Sequence, residues 1–106
     1  MIKTFNNNIH IVMYHFVRNI KKSKYPNLKG LEFSDFKNQI IYLKKNFNIL
    51  SNNQFIEILN SRKIPKKKSI LLTFDDGYRD HLEYVFPFLK KQDVSAVFYQ
   101  PTVKSF

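Results

Sequence analysis

The chain has 106 residues, enough for one small domain, and its 43% hydrophobic and 25% charged residues are typical of a folded protein. It contains no cysteine, which excludes disulfide bonds and thiolate metal sites, and no apolar run approaches the roughly 20 residues of a membrane span. Its formal net charge of +10 makes it strongly basic, a property of many proteins that bind nucleic acid or another anionic partner.

The first half of the chain predicts a strand, a long loop and a helix. Residues 9–14 form a credible first strand after a polar start, and His15 lies at its carboxyl end. Residues 16–30 contain several lysines, a proline and a glycine, and they predict a long loop. A helix over about residues 34–46 follows from apolar residues at helical spacing, which should face the core: Phe33, Phe36, Ile40, Leu43 and Phe47.

Two further helices are predicted in the second half. Ser51 and Gln54 have the spacing of a capping box, and they should begin a short helix whose apolar face consists of Phe55, Ile56 and Leu59. A third helix should start near Asp80 and extend to about residue 92. Its regular part is expected from about Tyr84, because an interior proline such as Pro87 removes a hydrogen bond.

The most informative segment is residues 70–77, Ile-Leu-Leu-Thr-Phe-Asp-Asp-Gly. A short apolar run between a basic loop and a glycine predicts a strand buried on both faces of a parallel sheet, and α/β folds build their sites at the carboxyl ends of such strands. Asp75 and Asp76 repel each other, so they should face water, a cation or a hydrogen-bonding loop. Asp-Gly is also common turn chemistry, so these two residues alone would equally fit a plain strand-end turn.

Residues 73–77, Thr-Phe-Asp-Asp-Gly, resemble the first motif of the polysaccharide deacetylase family, the NodB-like domains of carbohydrate esterase family 4. The resemblance continues downstream to a last predicted strand over residues 94–99. Upstream, Val-Met-Tyr-His at residues 12–15 is similar to the opening strand of the family. The resemblance implies an α/β fold, the N-terminal portion of a distorted (β/α) barrel.

The length of the chain is short for a complete domain of this type, since a barrel of βα units typically needs about 250 residues. Family members continue with a second motif that carries two histidines, whereas the three histidines here, His10, His15 and His81, lack that spacing. We therefore expect residues 1–106 to form a partial deacetylase domain, truncated before the histidine-containing motif. If Met1 is the native start, the absence of a signal peptide predicts a cytoplasmic protein.

The resemblance also implies roles for particular residues. Asp75 would be the catalytic base and Asp76 a ligand of a divalent metal, expected to be zinc, in the hydrolysis of an acetamide C–N bond on an N-acetylated saccharide. The remaining candidates would line the cleft, at Tyr14, His15, Gly77 and Tyr78, or support the acid pair, at Thr73 and Arg79. Adjacent side chains of a strand point to opposite faces, so both acids can serve one site only where the chain turns, as Gly77 allows.

Two other functions remain open beside a deacetylase. A catalytic zinc usually has about three protein ligands, so a chain with one ligand and no histidine motif could be a catalytically dead remnant or an interaction module. Its exposed sheet edge would then favour self-association. A nucleic-acid-binding module is less favoured, because the lysines are spread along the sequence and form no platform with the aromatic residues. The resemblance also implies a third explanation of the positive charge, a weak attraction of the protein to acidic polymers of a cell envelope.

Overall fold

The computed structural model of the chain describes residues 2–6, 8–15, 17–18, 31–63, 65–75 and 81–99. The strands within these ranges are β1 Ile2–Asn6, β2 Ile9–Tyr14, β3 Val17–Arg18, β4 Leu31–Glu32, β5 Asn48–Ile49, β6 Ser69–Phe74 and β7 Val97–Phe98. The helices are α1 Phe33–Asn46, α2 Asn52–Ser61 and α3 Phe86–Lys91, and a π-helical turn, His81–Val85, leads into α3.

The main sheet is built around β6. Strand β2 runs parallel to β6 along its whole length, and β1 adds an antiparallel strand to the far side of β2. The other edge of β6 is shared, because β5 pairs with its first two residues and β7 with its last two, both in parallel. A small second sheet consists of β3 and β4. The predicted α/β class is therefore confirmed, with a parallel sheet at its centre.

All six residues of β6 are buried, as predicted for a strand covered on both faces. Alternate side chains of β2 and β6 point to the same face of the sheet, and this face packs against α1 and the segment that contains α3. The fully buried members of this core cluster are Val17, Phe36, Ile40, Ile70, Leu72, Phe74 and Val85. The burial of these apolar side chains holds the sheet against α1.

Helix α1 begins one residue before the predicted start and ends at the predicted residue, Asn46. Its apolar stripe enters the core as expected: Phe36 and Ile40 are buried, and Phe33, Leu43 and Phe47 pack against them. Asp35 lies in its first turn, and Lys44 with Lys45 in its last turn, where each charge complements the helix dipole.

The capping box of α2 is confirmed. The Gln54 N–H donates to Ser51 Oγ at 3.1 Å, and the Ser51 N–H donates to Gln54 Oε1 at 2.9 Å. None of the residues of α2 is buried, so the predicted apolar face of this helix does not enter the core. Ile56 and Leu59 remain 44% and 40% exposed.

The third helix and the last strand differ from the prediction. Regular helix begins at Phe86, two residues later than expected, and Pro87 lies in its first turn, where the missing N–H is not needed. The last strand is confined to Val97–Phe98, because the Val94 N–H donates to the Leu89 carbonyl at the end of α3 instead of joining the sheet.

Four strands were missing from the prediction, namely β1, β3, β4 and β5, and one predicted loop is described only in part. The polar start of the chain forms β1, and the residues after α1 form β5. Within the predicted loop 16–30, Val17–Arg18 forms β3, while residue 16 and residues 19–30 lie outside the described residues. No helix in the described part of the chain is long and apolar enough to cross a membrane.

The complete burial of Leu72 predicts a large loss of stability when its side chain is shortened. Replacing Leu72→Ala in the fully buried centre of β6 should lower the free energy of unfolding by about 2–5 kcal/mol, because it removes apolar contacts and leaves a cavity. The matched control, Leu59→Ala on the exposed face of α2, should cost less than about 1 kcal/mol. Urea unfolding of the three proteins measures both values, and equal losses would mean that β6 is not the centre of the core.

Candidate functional site

The carboxyl ends of β2 and β6 meet at one edge of the sheet, and the candidate site residues follow them directly. Tyr14 and Phe74 are register partners in the parallel ladder. One residue later, the Asp75 N–H donates to the Tyr14 carbonyl at 2.8 Å, so the ladder continues beyond the regular strand. Neighbouring strands lie roughly 5 Å apart, which brings the backbones of His15 and Asp75 together at this edge.

The backbone that leads into Asp75 is held from both sides. On one side, the Asp75 N–H is bound to β2, as described above. On the other side, the Tyr99 N–H donates to the Phe74 carbonyl at 2.8 Å, beside the pairing of β6 with β7. The carboxylate of Asp75 therefore projects from a fixed position, and the residue is half-buried rather than exposed.

Thr73 joins the two central strands. Its side chain is buried, and its Oγ1 donates to the carbonyl of Val12 in β2 at 3.3 Å. By strand alternation Thr73 points away from the helix-covered face. It thus contributes to the β2–β6 contact two residues before the acid pair.

Tyr14 contributes to the site mainly through its backbone. Its ring lies in the core, 5.1 Å from the ring centroids of both Phe36 and Phe74, and its hydroxyl donates to Gln39 Oε1 of α1 at 2.9 Å. Burial raises the pKa of Tyr14 from 10.0 to about 12, because the phenolate would lose its hydration. The role of Gln39 was missed in the sequence, although a buried tyrosine hydroxyl commonly has a hydrogen-bond partner.

His15 is exposed, and together with Tyr14 it lines a groove of about 790 Å³ between β2 and α1. Most of the remaining lining is apolar, and it includes Leu31, Tyr42 and Leu43. Asp75 does not line this groove. Of the predicted cleft residues, Tyr14 and His15 therefore line this groove. The backbone of His15 also lies beside that of Asp75 at the edge of the sheet.

The other predicted site residues, Asp76, Gly77, Tyr78 and Arg79, lie outside the described residues. Among the side chains that are described, no group of three or more histidine, aspartate or glutamate residues is placed to hold a metal ion. Zinc sites use about three or four protein ligands. The described residues therefore do not by themselves provide the ligand set of the metal expected from the sequence.

Comparisons with known proteins agree with this geometry. The polysaccharide deacetylase family model matches residues 62–104, which include β6 and the acid pair. YxkH of Bacillus subtilis (strain 168), named as a polysaccharide deacetylase, is 29% identical over 90 residues, covering 84% of this chain and 30% of that protein. Over these residues the chain is similar in sequence to polysaccharide deacetylases.

Two solved structures extend the relationship to the fold. A de-N-acetylase from Aggregatibacter actinomycetemcomitans superposes with a TM-score of 0.68 at 26% identity, covering 85% of this chain and 36% of that one. IcaB from Ammonifex degensii gives a TM-score of 0.65 at 26% identity, covering 84% of this chain and 37% of that one. The chain thus spans about a third of the length of these relatives, and it fits the N-terminal part of the deacetylase barrel.

The buried phenol of Tyr14 predicts a pH dependence of stability. The fold favours the neutral phenol, so its contribution is complete below about pH 10 and is lost as the pH rises to about 12. The loss should reach roughly 3 kcal/mol, at about 1.4 kcal/mol per pKa unit. Chemical unfolding between pH 9 and pH 12 measures it as the difference between wild type and Tyr14→Phe, which cannot ionise at this position. The same decline in both proteins would contradict the burial of this hydroxyl.

Proposed function

We propose that this chain provides the acid pair of a metal-dependent carbohydrate N-deacetylase, which hydrolyses the acetamide C–N bond of an N-acetylated saccharide. The observation that carries the proposal is the position of Asp75. Its N–H is bound to the Tyr14 carbonyl at the carboxyl edge of a fully buried central strand, within the Thr-Phe-Asp-Asp-Gly motif. The N-acetyl group is favoured as the target because one solved relative is a de-N-acetylase.

In the proposed reaction, Asp75 accepts a proton from the attacking water as the water oxygen adds to the carbonyl carbon of the acetamide. The C–N bond then breaks, the amine takes up a proton, and acetate and a free amino sugar are released. Asp76 would bind a divalent metal, expected to be zinc, which would polarise the carbonyl and lower the pKa of its bound water.

The remaining candidates would assist this acid pair. Thr73 holds β6 to β2, and the Tyr14 carbonyl fixes the backbone of Asp75, so both residues keep the base in place. His15 stands beside Asp75 and could contact the sugar or the acetyl group. Gly77 would allow the turn that brings Asp76 toward the same site, with Tyr78 lining the cleft and Arg79 orienting the carboxylates.

The proposal requires metal ligands beyond this acid pair. We propose that they come from residues outside this sequence, in the rest of a longer polypeptide or in a second copy that joins at the sheet edge. As residues 1–106 alone, the chain should then release little or no acetate from N-acetylated oligosaccharides. The alternative, a catalytically dead remnant that serves as an interaction module, is supported by the lack of a three-ligand group among the described residues.

Zinc titration calorimetry of the purified chain tests the proposal. We expect binding that weakens by at least about tenfold in Asp76→Ala, since even an outer-shell partner of a metal contributes that much. The matched control is Asp35→Ala, which removes an exposed carboxylate from the first turn of α1 and should leave the affinity unchanged.

The variant His15→Ala shows whether the neighbouring imidazole is a ligand in this chain. Equal zinc affinity in wild type and Asp76→Ala would contradict the proposal, because the motif would then hold no metal here. The interaction module would become the better account.

A further inference from the structure

Nine of the twelve lysines and arginines in the described ranges lie at the end of the sheet opposite to the candidate site. In each βα unit the helix runs back, so that helix ends and strand starts lie at the same edge. Here that edge carries Lys44 and Lys45 in the last turn of α1, Lys90 and Lys91 in the last turn of α3, and the basic loop 62–68 before β6. We call these residues together the cationic face.

Contacts between these segments make the cationic face a continuous surface. Lys44 Nζ donates to the Gln92 carbonyl at 2.6 Å, which joins the ends of α1 and α3. The Asn48 N–H donates to the Lys68 carbonyl at 3.0 Å, which joins the first residue of β5 to the basic loop. A groove of about 520 Å³ lies between the two, and its lining includes Lys45 and Lys67 but no carboxylate.

Helix dipoles account for only part of this arrangement. Lysines in the last turns of α1 and α3 stabilise the negative helix ends. The same argument does not apply to the loop 62–68, which continues after α2 has ended at a left-handed cap residue, Arg62. The lysines of this loop, from Lys63 onward, are all exposed and do not lie in the last turn of a helix. The helix dipole therefore does not account for them.

Four of the six acidic residues in the described part of the chain lie at the opposite end. Within the described ranges, Glu32 and Asp35 lie at the start of α1, Asp75 at the carboxyl end of β6, and Glu83 in the turn before α3. Two carboxylates accompany the cationic face in these ranges: Asp93 follows the end of α3, and Glu57 lines a groove together with Lys63. Among the described residues, basic and acidic side chains are therefore unevenly divided between the two ends of the sheet, which the spread of lysines along the sequence does not reveal.

We propose that the cationic face docks this chain on an anionic lipid surface. Its charges come from two helix ends and a loop, so they cover an end of the molecule and match a plane of headgroups. Lysine attracts such headgroups as a point charge, whereas base reading typically relies on planar arginine forks and an element that enters a groove. Docking in this way leaves the carboxyl edge of the sheet, with Asp75, facing away from the membrane. The proposal does not depend on the deacetylase activity.

Cosedimentation with lipid vesicles tests the proposal on the purified chain. Wild type should bind vesicles of equal parts phosphatidylglycerol and phosphatidylcholine, should not bind phosphatidylcholine alone, and should be released by salt. The triple variant Lys66→Ala, Lys67→Ala, Lys68→Ala should bind about 100-fold more weakly, since each lysine near the surface contributes about fivefold.

A single pair of variants controls for net charge. Lys67→Ala should weaken binding about fivefold, whereas Lys37→Ala, which removes a lysine packed over the Phe33 ring at 4.9 Å, should have little effect. Circular dichroism of each variant verifies the fold. Equal losses in the two variants, equal binding to neutral vesicles, or no binding to phosphatidylglycerol would overturn the proposal. So would tighter binding to a DNA or RNA duplex than to the vesicles at the same salt concentration, because the face would then serve nucleic acid.

Discussion

The parallel ladder between β2 and β6 is the interaction on which the rest of the structure depends. In the sheet, β6, whose six residues are all buried, lies between β2 on one side and the short strands β5 and β7 on the other. The ladder continues for one more residue, because the Asp75 N–H donates to the Tyr14 carbonyl. Apolar burial sets the register of the ladder, since a shift by one residue would turn Leu72 and Phe74 away from the helices. The same register fixes where the acid emerges.

In this site, the side chains that stabilise the fold differ from those that would take part in the reaction. The Tyr14 ring and the β6 side chains are buried in the core, where they are costly to replace, while His15 is exposed and Asp75 half-buried at the edge of the sheet. The two solved structures share the fold at TM-scores of 0.65 and 0.68 although identity is only 26%, as expected for a fold maintained by burial rather than by particular residues. The cationic face lies at the far edge, so the two ends can act independently.

Elements with their own local signals were predicted well. Three local patterns each predict a single kind of element: the apolar stripe of α1, the capping box of Ser51 and Gln54, and the buried run of β6. The strands β1 and β5 were not predictable, because Ile2–Asn6 is largely polar and Asn48–Ile49 has only two residues, and both exist through pairing with a partner strand. The neighbouring positions of His15 and Asp75, and the gathering of distant lysines, are likewise products of topology that no local spacing reveals.

The central claim is that the carboxyl edge of β2 and β6 forms a metal-dependent site. The most direct test is the NMR spectrum of the ¹⁵N-labelled chain titrated with paramagnetic Co²⁺ in place of zinc, because signal loss reports distance from the bound ion. The account predicts that the amides of His15, Asp75 and Tyr99 broaden first, while Ile9 and Ser69 at the opposite strand ends stay sharp. Broadening centred on His10, or spread evenly over the chain, would contradict it.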